Sequence, residues 1–435
     1  MPLKVLILCY DFPPLNSAGS HRIKGWIKYL NKYDVYPIIV TRKWDREIQQ
    51  PSDYDYDESG NVELEENTHY TVFRIPYKKS SFERMTLFFR KNNLSILSKA
   101  FTLAAYFIKH LPKINIEKNF YFSNVYDSVN KQKPDLILVS GEPFILFKYA
   151  HLISAKSKIP YALDYRDGWS TNFGKKEGIL KLIAKIESFF EKKYLKNALF
   201  VSTAAQLIKE DLYKKFRTDN VFVVENGANL ELINSINSKN TDHFEIIYTG
   251  TVYNSHNIDA FLKAFEQFIT LRDYSAVVRF IGINFNENKH NKVFDYYASK
   301  YPENIKIIGK VTQETAIKWQ KEATVLLKFC SAPITKGFYG AKLYEYASLN
   351  KPILTVAGKK EHAKTDFFEK EEIQTLVYNE ETCLAALFDL YKDFTSGKLK
   401  NKQFLSPEQI QSISCENQVS VLAGEIKERL NDIVT

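Results

Sequence analysis

Between Lys336 and Gly358 the chain reads KGFYGAKLYEYASLNKPILTVAG, a stretch whose residue types could hold a phosphate. Gly337 and Gly340 form a loop that feeds a helix expected over Ala341 to Leu349. After Asn350-Lys351-Pro352, the apolar run Ile353 to Ala357 reads as a buried strand. A loop entering a helix N-terminus offers free backbone N–H groups and the positive end of the helix dipole to an anion. Lys342 adds a mobile positive charge in the first turn, and Glu345 shares its face at i+3. A carboxylate there can accept hydrogen bonds from two vicinal hydroxyls, such as those of a ribose. A solvated helical ion pair uses the same residues at the same spacing, and spacing alone does not separate the two readings.

The elements that must position such a site alternate along the chain. Val5 to Cys9 reads as a buried strand, followed by a loop from Tyr10 to Gly19, a helix from about Ser20 to Lys32 and a strand from Val35 to Thr41. That order is a βαβ unit and implies a parallel sheet. The loop is not G-x-G-x-x-G, so a dinucleotide fingerprint is absent. Arg22, in the first turn, could serve an anion or sit on the surface. Asp135 to Ser140 is the next strand, then Gly141-Glu142-Pro143 and a helix from about Phe144 to Ser157. Pro160 to Tyr165 follows and ends in Asp164-Tyr165-Arg166-Asp167-Gly168-Trp169, charges at a strand's carboxyl end where open α/β sheets bind ligands. An Arg166–Asp pair bracing the loop is the alternative, and it leads for Asp164. A basic amphipathic helix from about Ile179 to Lys196 has Ile179, Leu182, Ile183, Ile186, Phe189 and Phe190 as its expected core-facing stripe. Strands at Leu199 to Ser202 and Val221 to Val224 lead to the turn Glu225-Asn226-Gly227. Ile246 to Thr249 then repeats the strand-to-glycine opening at Gly250-Thr251, before a helix from about Asn257 to Leu271. Strands at Val277 to Ile281, Ile305 to Ile308 and Thr324 to Phe329 continue the rhythm, and 380–395 and 408–433 read as closing helices.

Several of these stretches together resemble one family. K-x-x-E-Y before a "kPil" strand (Lys342, Glu345), an "FPP" opening ending in Gly19, the D-x-R-D-x-W string at Asp164, the Asn226-Gly227 junction and the G-x-V turn at Gly309 are similar to family 4-like retaining glycosyltransferases of the GT-B fold. The resemblance implies an α/β protein of two Rossmann-like, doubly wound parallel-sheet domains facing a central cleft. Residues 1–226 would form the acceptor-side domain, with a helical basic insertion at about 77–120. Residues 227–407 would bind a nucleotide-sugar donor, and a helix over 408–435 would return to the first domain. By the same resemblance Glu345 holds the donor ribose, and Lys342 stabilises the leaving diphosphate; these two are the catalytic assignments. Gly19, Gly250, Thr251, Lys336 and Gly340 would surround the donor, and the main chain at Val311 would meet the base. Arg22, Glu142, Asp164, Arg166 and Asp167 would lie on the acceptor side. The chain departs from the family pattern at Gly337 (an acid in relatives), Thr251 and His256 (arginine and lysine), Ala18 (glycine) and Gly141 (histidine).

A chain of 435 residues has room for two domains with separate cores. Four cysteines without a C-x-x-C pair fit neither a zinc site nor a disulfide framework and suit a reducing cytosol. The start of the chain enters a strand directly, which predicts no signal peptide, and no apolar run approaches the ~20 residues of a membrane span. The net charge of +9 is unevenly spread. Residues 52–66 hold seven acids and no base, which predicts a mobile, solvated loop, whereas residues 77–120 hold nine bases and two acids among many aromatics. That basic stretch suits either docking on an anionic membrane surface or packing on its own domain. No nucleic-acid module surrounds it, so nucleic acid is not an expected partner. No Asp-x-Asp string outside the acidic loop offers a cation site, and no cofactor or metal is expected. The expected partners are a nucleotide sugar and a glycan or lipid-linked acceptor, in a cytoplasmic enzyme, peripheral on the membrane's inner face, of cell-surface polysaccharide synthesis such as capsule or lipopolysaccharide. Two other readings share the motifs: a non-catalytic GT-B assembly partner, and a nucleotide-sugar epimerase of related architecture.

Overall fold

The structure is a computed structural model and describes residues 2–15, 17–45, 58, 60–79, 81–92, 101, 104, 120–171, 178–238, 241–271, 275–283, 290–330, 340–357 and 372–434. The chain divides into two compact units, Met1–Glu225 with Gln418–Thr435, and Asn226–Asn417.

The first unit contains β1 (Leu3–Leu8), α1 (Ala18–Leu30), β2 (Val35–Arg42), β3 (Glu63–Glu66), β4 (Thr71–Ile75), α2 (Ser81–Lys91), α3 (Phe120–Gln132), β5 (Leu136–Gly141), α4 (Ile145–Ser157), β6 (Tyr161–Tyr165), α5 (Gly178–Lys196), β7 (Val201–Thr203), α6 (Gln206–Phe216) and β8 (Val221–Val223). Its sheet has the order β3-β4-β2-β1-β5-β6-β7-β8, parallel except for β3, which pairs antiparallel with β4. The central strands are apolar on both faces, as a sheet covered by helices on both sides requires: Val5, Leu6, Ile7 and Leu8 are all fully buried.

The second unit contains α7 (Leu230–Ser235), β9 (Phe244–Thr249), α8 (Ile258–Leu271), β10 (Ala276–Ile281), α9 (Asn291–Lys300), β11 (Ile305–Ile308), α10 (Gln313–Glu322), β12 (Val325–Phe329), α11 (Gly340–Ser348), β13 (Ile353–Val356), β14 (Gln374–Val377), α12 (Glu380–Thr395), α13 (Pro407–Ser412) and the start of α14 (Cys415–Val434). The strand order is β11-β10-β9-β12-β13-β14, all parallel. Alternation along β12 sends Val325, Leu327 and Phe329 into the cluster that α8 covers, and Leu326 into the cluster that α11 covers. Strand order therefore reverses between β9 and β12, as it does between β1 and β5 in the first unit. At such a switch point the loops leave in opposite directions and open a crevice at the carboxyl ends of the strands.

Three sequence expectations change here. The helix expected over 408–433 is two helices, α13 and α14, broken where Ser414 bridges Ala228. The acidic loop is not simply solvated: Glu63, Glu65 and Glu66 lie on β3. Glu58 is buried in an ion pair with Arg42, whose guanidinium stacks 4.2 Å from the Trp44 ring centre and 4.4 Å from that of Tyr77. Phe189, expected in the core, is 71% exposed. The rest of the acidic loop, 52–57 and 59, and most of 93–119 lie outside the described residues.

Candidate functional site

In the first unit the carboxyl ends of β1, β5 and β6 meet at Arg166. Its Nε donates to the Gly141 carbonyl at 2.6 Å, Nη2 to the Glu142 carbonyl at 3.0 Å, and Nη1 to Asp11 Oδ2 at 3.2 Å. Ser17, the N-cap of α1, accepts from the Ser20 N–H and donates to the same Asp11 oxygen at 2.9 Å. Gly19 is required by this packing: a Cβ there would stand 1.4 Å from Arg166 Nη1. Cys9, Gly19, Ser140, Glu142 and Arg166 line one small recess. Burial pushes the Cys9 thiol up to about 12, so it is a packed side chain and not a nucleophile. Asp167 is exposed by area at the loop's tip; desolvation by its neighbours raises its carboxyl above the ordinary range, and Arg166 opposes that.

Two expected acceptor-side residues are placed differently. Arg22 is 2% exposed and Asp164 fully buried, and they pair with each other: Nη2 reaches Oδ1 at 2.7 Å and Nε reaches Oδ2 at 3.1 Å. Ser140 and Ser202 donate to the same carboxylate at 2.9 and 2.8 Å, and Arg22 Nη1 caps the Glu225 carbonyl at 3.2 Å. A bidentate pair with satisfied lone pairs in a buried site braces strand ends, and removing either partner strands the other charge. Asp164 braces as expected, but its arginine is Arg22, while Arg166 takes Asp11.

In the second unit one polar network joins the end of β9 to α11. Lys342 Nζ donates to Glu345 Oε1 at 2.9 Å, and Gln320 Nε2, from α10, donates to the same oxygen at 2.7 Å. Gln320 Nε2 also reaches Thr249 Oγ1 at 2.8 Å, and the Thr249 N–H donates to Tyr346 Oη at 2.9 Å. Lys342 is 44% exposed and Glu345 15%. Desolvation pulls Lys342 down, but the Glu345 carboxylate beside it outweighs that and holds the ammonium above its ordinary range. Gln320 is fully buried, and its Oε1 has no hydrogen-bond partner among the described residues.

Beyond Thr249, Gly250 takes φ +129, a left-handed conformation that only glycine adopts without strain, and Thr251 is exposed. Gly282, after β10, lies against Gly250 and donates to the Gly309 carbonyl at 3.2 Å, so the ends of β9, β10 and β11 converge on three glycines. Val311 is half-buried against the α11 cluster, and Gly340 opens α11 at φ +59. His256 stacks on Phe329 and is 6% exposed. Burial, then the charges of His290 and Lys328, push it down to about 4, so it is neutral near pH 7 and takes no lysine-like role. Lys336 and Gly337 lie outside the described residues.

Three partners escaped the sequence reading. Asp11 and Gln320 carry no local signal, because each acts through a contact distant in sequence. Lys328 does carry one: it interrupts the otherwise apolar run VLLKF of β12. A cation one residue from the carboxyl end of a buried parallel strand is anomalous on packing grounds. Alternation sets it on the face of Leu326, toward α11, opposite Thr355 of β13, with Nζ 2.9 Å from Cys330 Sγ. What this arrangement can do chemically is place the Lys342 ammonium and a helix N-terminus at the switch point, with a carboxylate one turn along, while Lys328 ends the neighbouring strand β12.

No protein-family model matches the chain, and no curated protein matches it by sequence. Solved structures do match over nearly its whole length. Sucrose-phosphate synthase from Thermosynechococcus elongatus is 11% identical, with 99% of this chain and 100% of that chain covered and a TM-score of 0.65. Anabaena HepE in complex with UDP is 12% identical, with 98% and 100% covered and a TM-score of 0.61. A structure from Listeria monocytogenes, assigned as a UDP-N-acetylglucosamine 2-epimerase, is 11% identical, with 99% and 98% covered and a TM-score of 0.56. At this identity the likeness is one of fold, and the fold is GT-B.

Proposed function

We propose that the protein is a glycosyltransferase that moves a sugar from a nucleotide diphosphate to a glycan or lipid-linked acceptor in cell-surface polysaccharide synthesis. The observation that carries the reading is the Lys342–Glu345–Gln320–Thr249 network, which ties the switch-point strand β9 to the first turns of α11. A donor's glycosidic bond is already activated by its leaving group. The protein's task is therefore to stabilise charge growing on the diphosphate and to hold both substrates together. In this reading Lys342 meets the leaving diphosphate, assisted by the backbone N–H at Gly340, where α11 opens, and by the exposed Thr251 hydroxyl; the Gly250 N–H is already given to the Ile281 carbonyl at 2.9 Å. Lys328 supplies the second cation that Thr251 and His256 do not. Glu345, steadied by Gln320, receives the ribose hydroxyls, and the Val311 main chain faces the base. Arg166, with Asp11 and Glu142, forms the acceptor-side wall, and Asp167 offers it a carboxyl group. Retention of anomeric configuration follows from the family resemblance alone, and the reading calls on no metal.

Peripheral attachment through 77–120 belongs to the same reading; within it α2 exposes Met85 (46%) and Phe88 (57%) beside exposed Arg84 and Lys91. No helix among the described residues is long and apolar enough to cross a membrane.

The test is thermal unfolding of the purified protein with UDP-, GDP-, ADP-, CMP- and dTDP-linked donors. A ligand that binds only the folded state raises its stability by mass action. A UDP-linked donor, suggested by the UDP bound to HepE, is expected to stabilise the wild type and not Glu345→Ala. Sugar transfer to an acceptor then separates this reading from an epimerase, which the Listeria structure makes the second candidate and which would yield an epimerised sugar. Binding without either product would favour a non-catalytic assembly partner, and no shift with any donor would overturn the site.

A further inference from the structure

Helix α5 carries a surface feature that the donor and acceptor sites do not use. Lys181, Lys185, Lys192, Lys193 and Lys196 are exposed, and Phe189 among them is 71% exposed. At 100° per residue these six side chains fall within an arc of about 120°, spread over about 22 Å of helix. The helix's two acids are on the other side: Glu187 is 2% exposed and Glu191 fully buried. The outward face is therefore uniformly positive. That field reaches the layer beneath, where Lys148 is pulled down to about 8, by burial first and then by the charge of Lys193, and His151 is lowered by the same two causes.

Packing does not account for Phe189. Its neighbours Phe190 and Tyr194 are the aromatic residues that α5 commits to the core, at 4% and 2% exposure. A soluble polyanion would satisfy the lysines and leave the ring in water. An anionic bilayer satisfies both, with phosphate headgroups against the ammonium row and the ring at the boundary of the acyl chains. We propose that this face of α5 docks the protein on an anionic bilayer, with Phe189 inserted among the headgroups. The proposal stands apart from the donor reading, since none of these residues belongs to that site.

The experiment is flotation of the full-length protein with vesicles of phosphatidylcholine alone, or with added phosphatidylglycerol. Binding is expected only where phosphatidylglycerol is present, and it should weaken with salt. Replacing Lys181, Lys185, Lys192 and Lys196 together by serine should lower partitioning by about a hundredfold or more, at roughly fivefold per lysine. Phe189→Ser, which keeps the charge, should lower it about tenfold. A variant with the same charge change on the second unit, Lys263, Lys292, Lys310 and Lys400 to serine, should bind like the wild type. Unchanged thermal unfolding of each variant establishes that it folds. Absence of binding to phosphatidylglycerol vesicles, equal loss in the second-unit variant, or full binding by the α5 lysine variant would overturn the proposal. So would a Phe189→Ser protein that binds vesicles like the wild type while the lysine variant alone loses retention on a soluble polyanion; the stripe would then hold a polyanion in solution.

Discussion

Lys342 is held as a cation by its neighbour. Desolvation acts against its charge, and Glu345 at 2.9 Å more than compensates, so the ammonium stays protonated across the physiological range while keeping 44% of its side chain accessible. A charge that is preorganised and reachable suits the stabilisation of a leaving group, whose demand peaks only as the bond breaks. Lys342→Ala is therefore expected to lower kcat by about 10²–10³ while changing donor affinity less than about fivefold. Steady-state kinetics with a parallel binding titration checks this, and equal losses in both quantities would sink it. Lys328 makes a different demand. Held on β12 with Nζ 2.9 Å from Cys330 Sγ, it would meet the diphosphate in ground and transition states alike, so Lys328→Met should weaken donor binding about tenfold and leave kcat within about twofold. A fall in kcat alone would place Lys328 with Lys342 instead.

The elements explain which of these residues could be read from sequence. Lys342 and Glu345 share a helix face, so their pairing follows from local periodicity, and the strand after them follows from an apolar run. Arg22 and Asp164 lie 142 positions apart, and only the sheet order that sets β6 beside β5 brings α1's arginine onto that carboxylate. Periodicity also misplaced Phe189, because a 3.6-residue stripe marks a face and not what covers it. The short edge strand β3, read as part of an acidic loop, has no apolar alternation to betray it. Arg166 depends on another such long-range fit. Gly19→Ala would drive a methyl group into the guanidinium, and loss of the Asp11 and Gly141 contacts should follow, with acceptor KM raised several-fold; a normal acceptor KM would show that the Arg166 side chain moves aside. Farther along the same loop, Ser170 donates through its N–H at 3.1 Å and through its hydroxyl to Glu191 of α5, and Lys215 of α6 donates to the Ser170 hydroxyl at 2.6 Å. Burial raises Glu191 to about 7, with the Ser170 bonds and Lys215 opposing. From about 4.5 to about 7 the folded state then binds more protons than the unfolded one, so this group's contribution to stability falls as pH rises through that window and is level above it. The amplitude is on the order of 3 kcal/mol. Glu191→Gln should flatten the slope of unfolding midpoint against pH between those values, and an unaltered slope would assign it to other groups.

At the scale of the whole molecule, each unit has its own core, and helix α14 belongs to both: it starts in the second unit and from Gln418 onward packs in the first. There Val419 and Ala423 are 1% exposed and Leu422 and Ile426 fully buried, while Lys427 reaches Asp34 at 3.3 Å. The last turns of the chain are thus part of the first unit's core, although more than 190 residues of the second unit separate them from the rest of it. Removing a buried side chain from this helix should act on one unit and spare the other. Ile426→Ala is expected to cost about 2–5 kcal/mol, through lost burial and an unfilled cavity. Calorimetry and hydrogen exchange read where that cost falls. Protection should drop across β1, β2 and β5 and hold across β9, β12 and β13, and the stabilisation by a UDP-linked donor should persist in the second unit. If protection instead falls equally in both sheets, the two units unfold as one cooperative body, and α14 is the element through which a change in one core reaches the other.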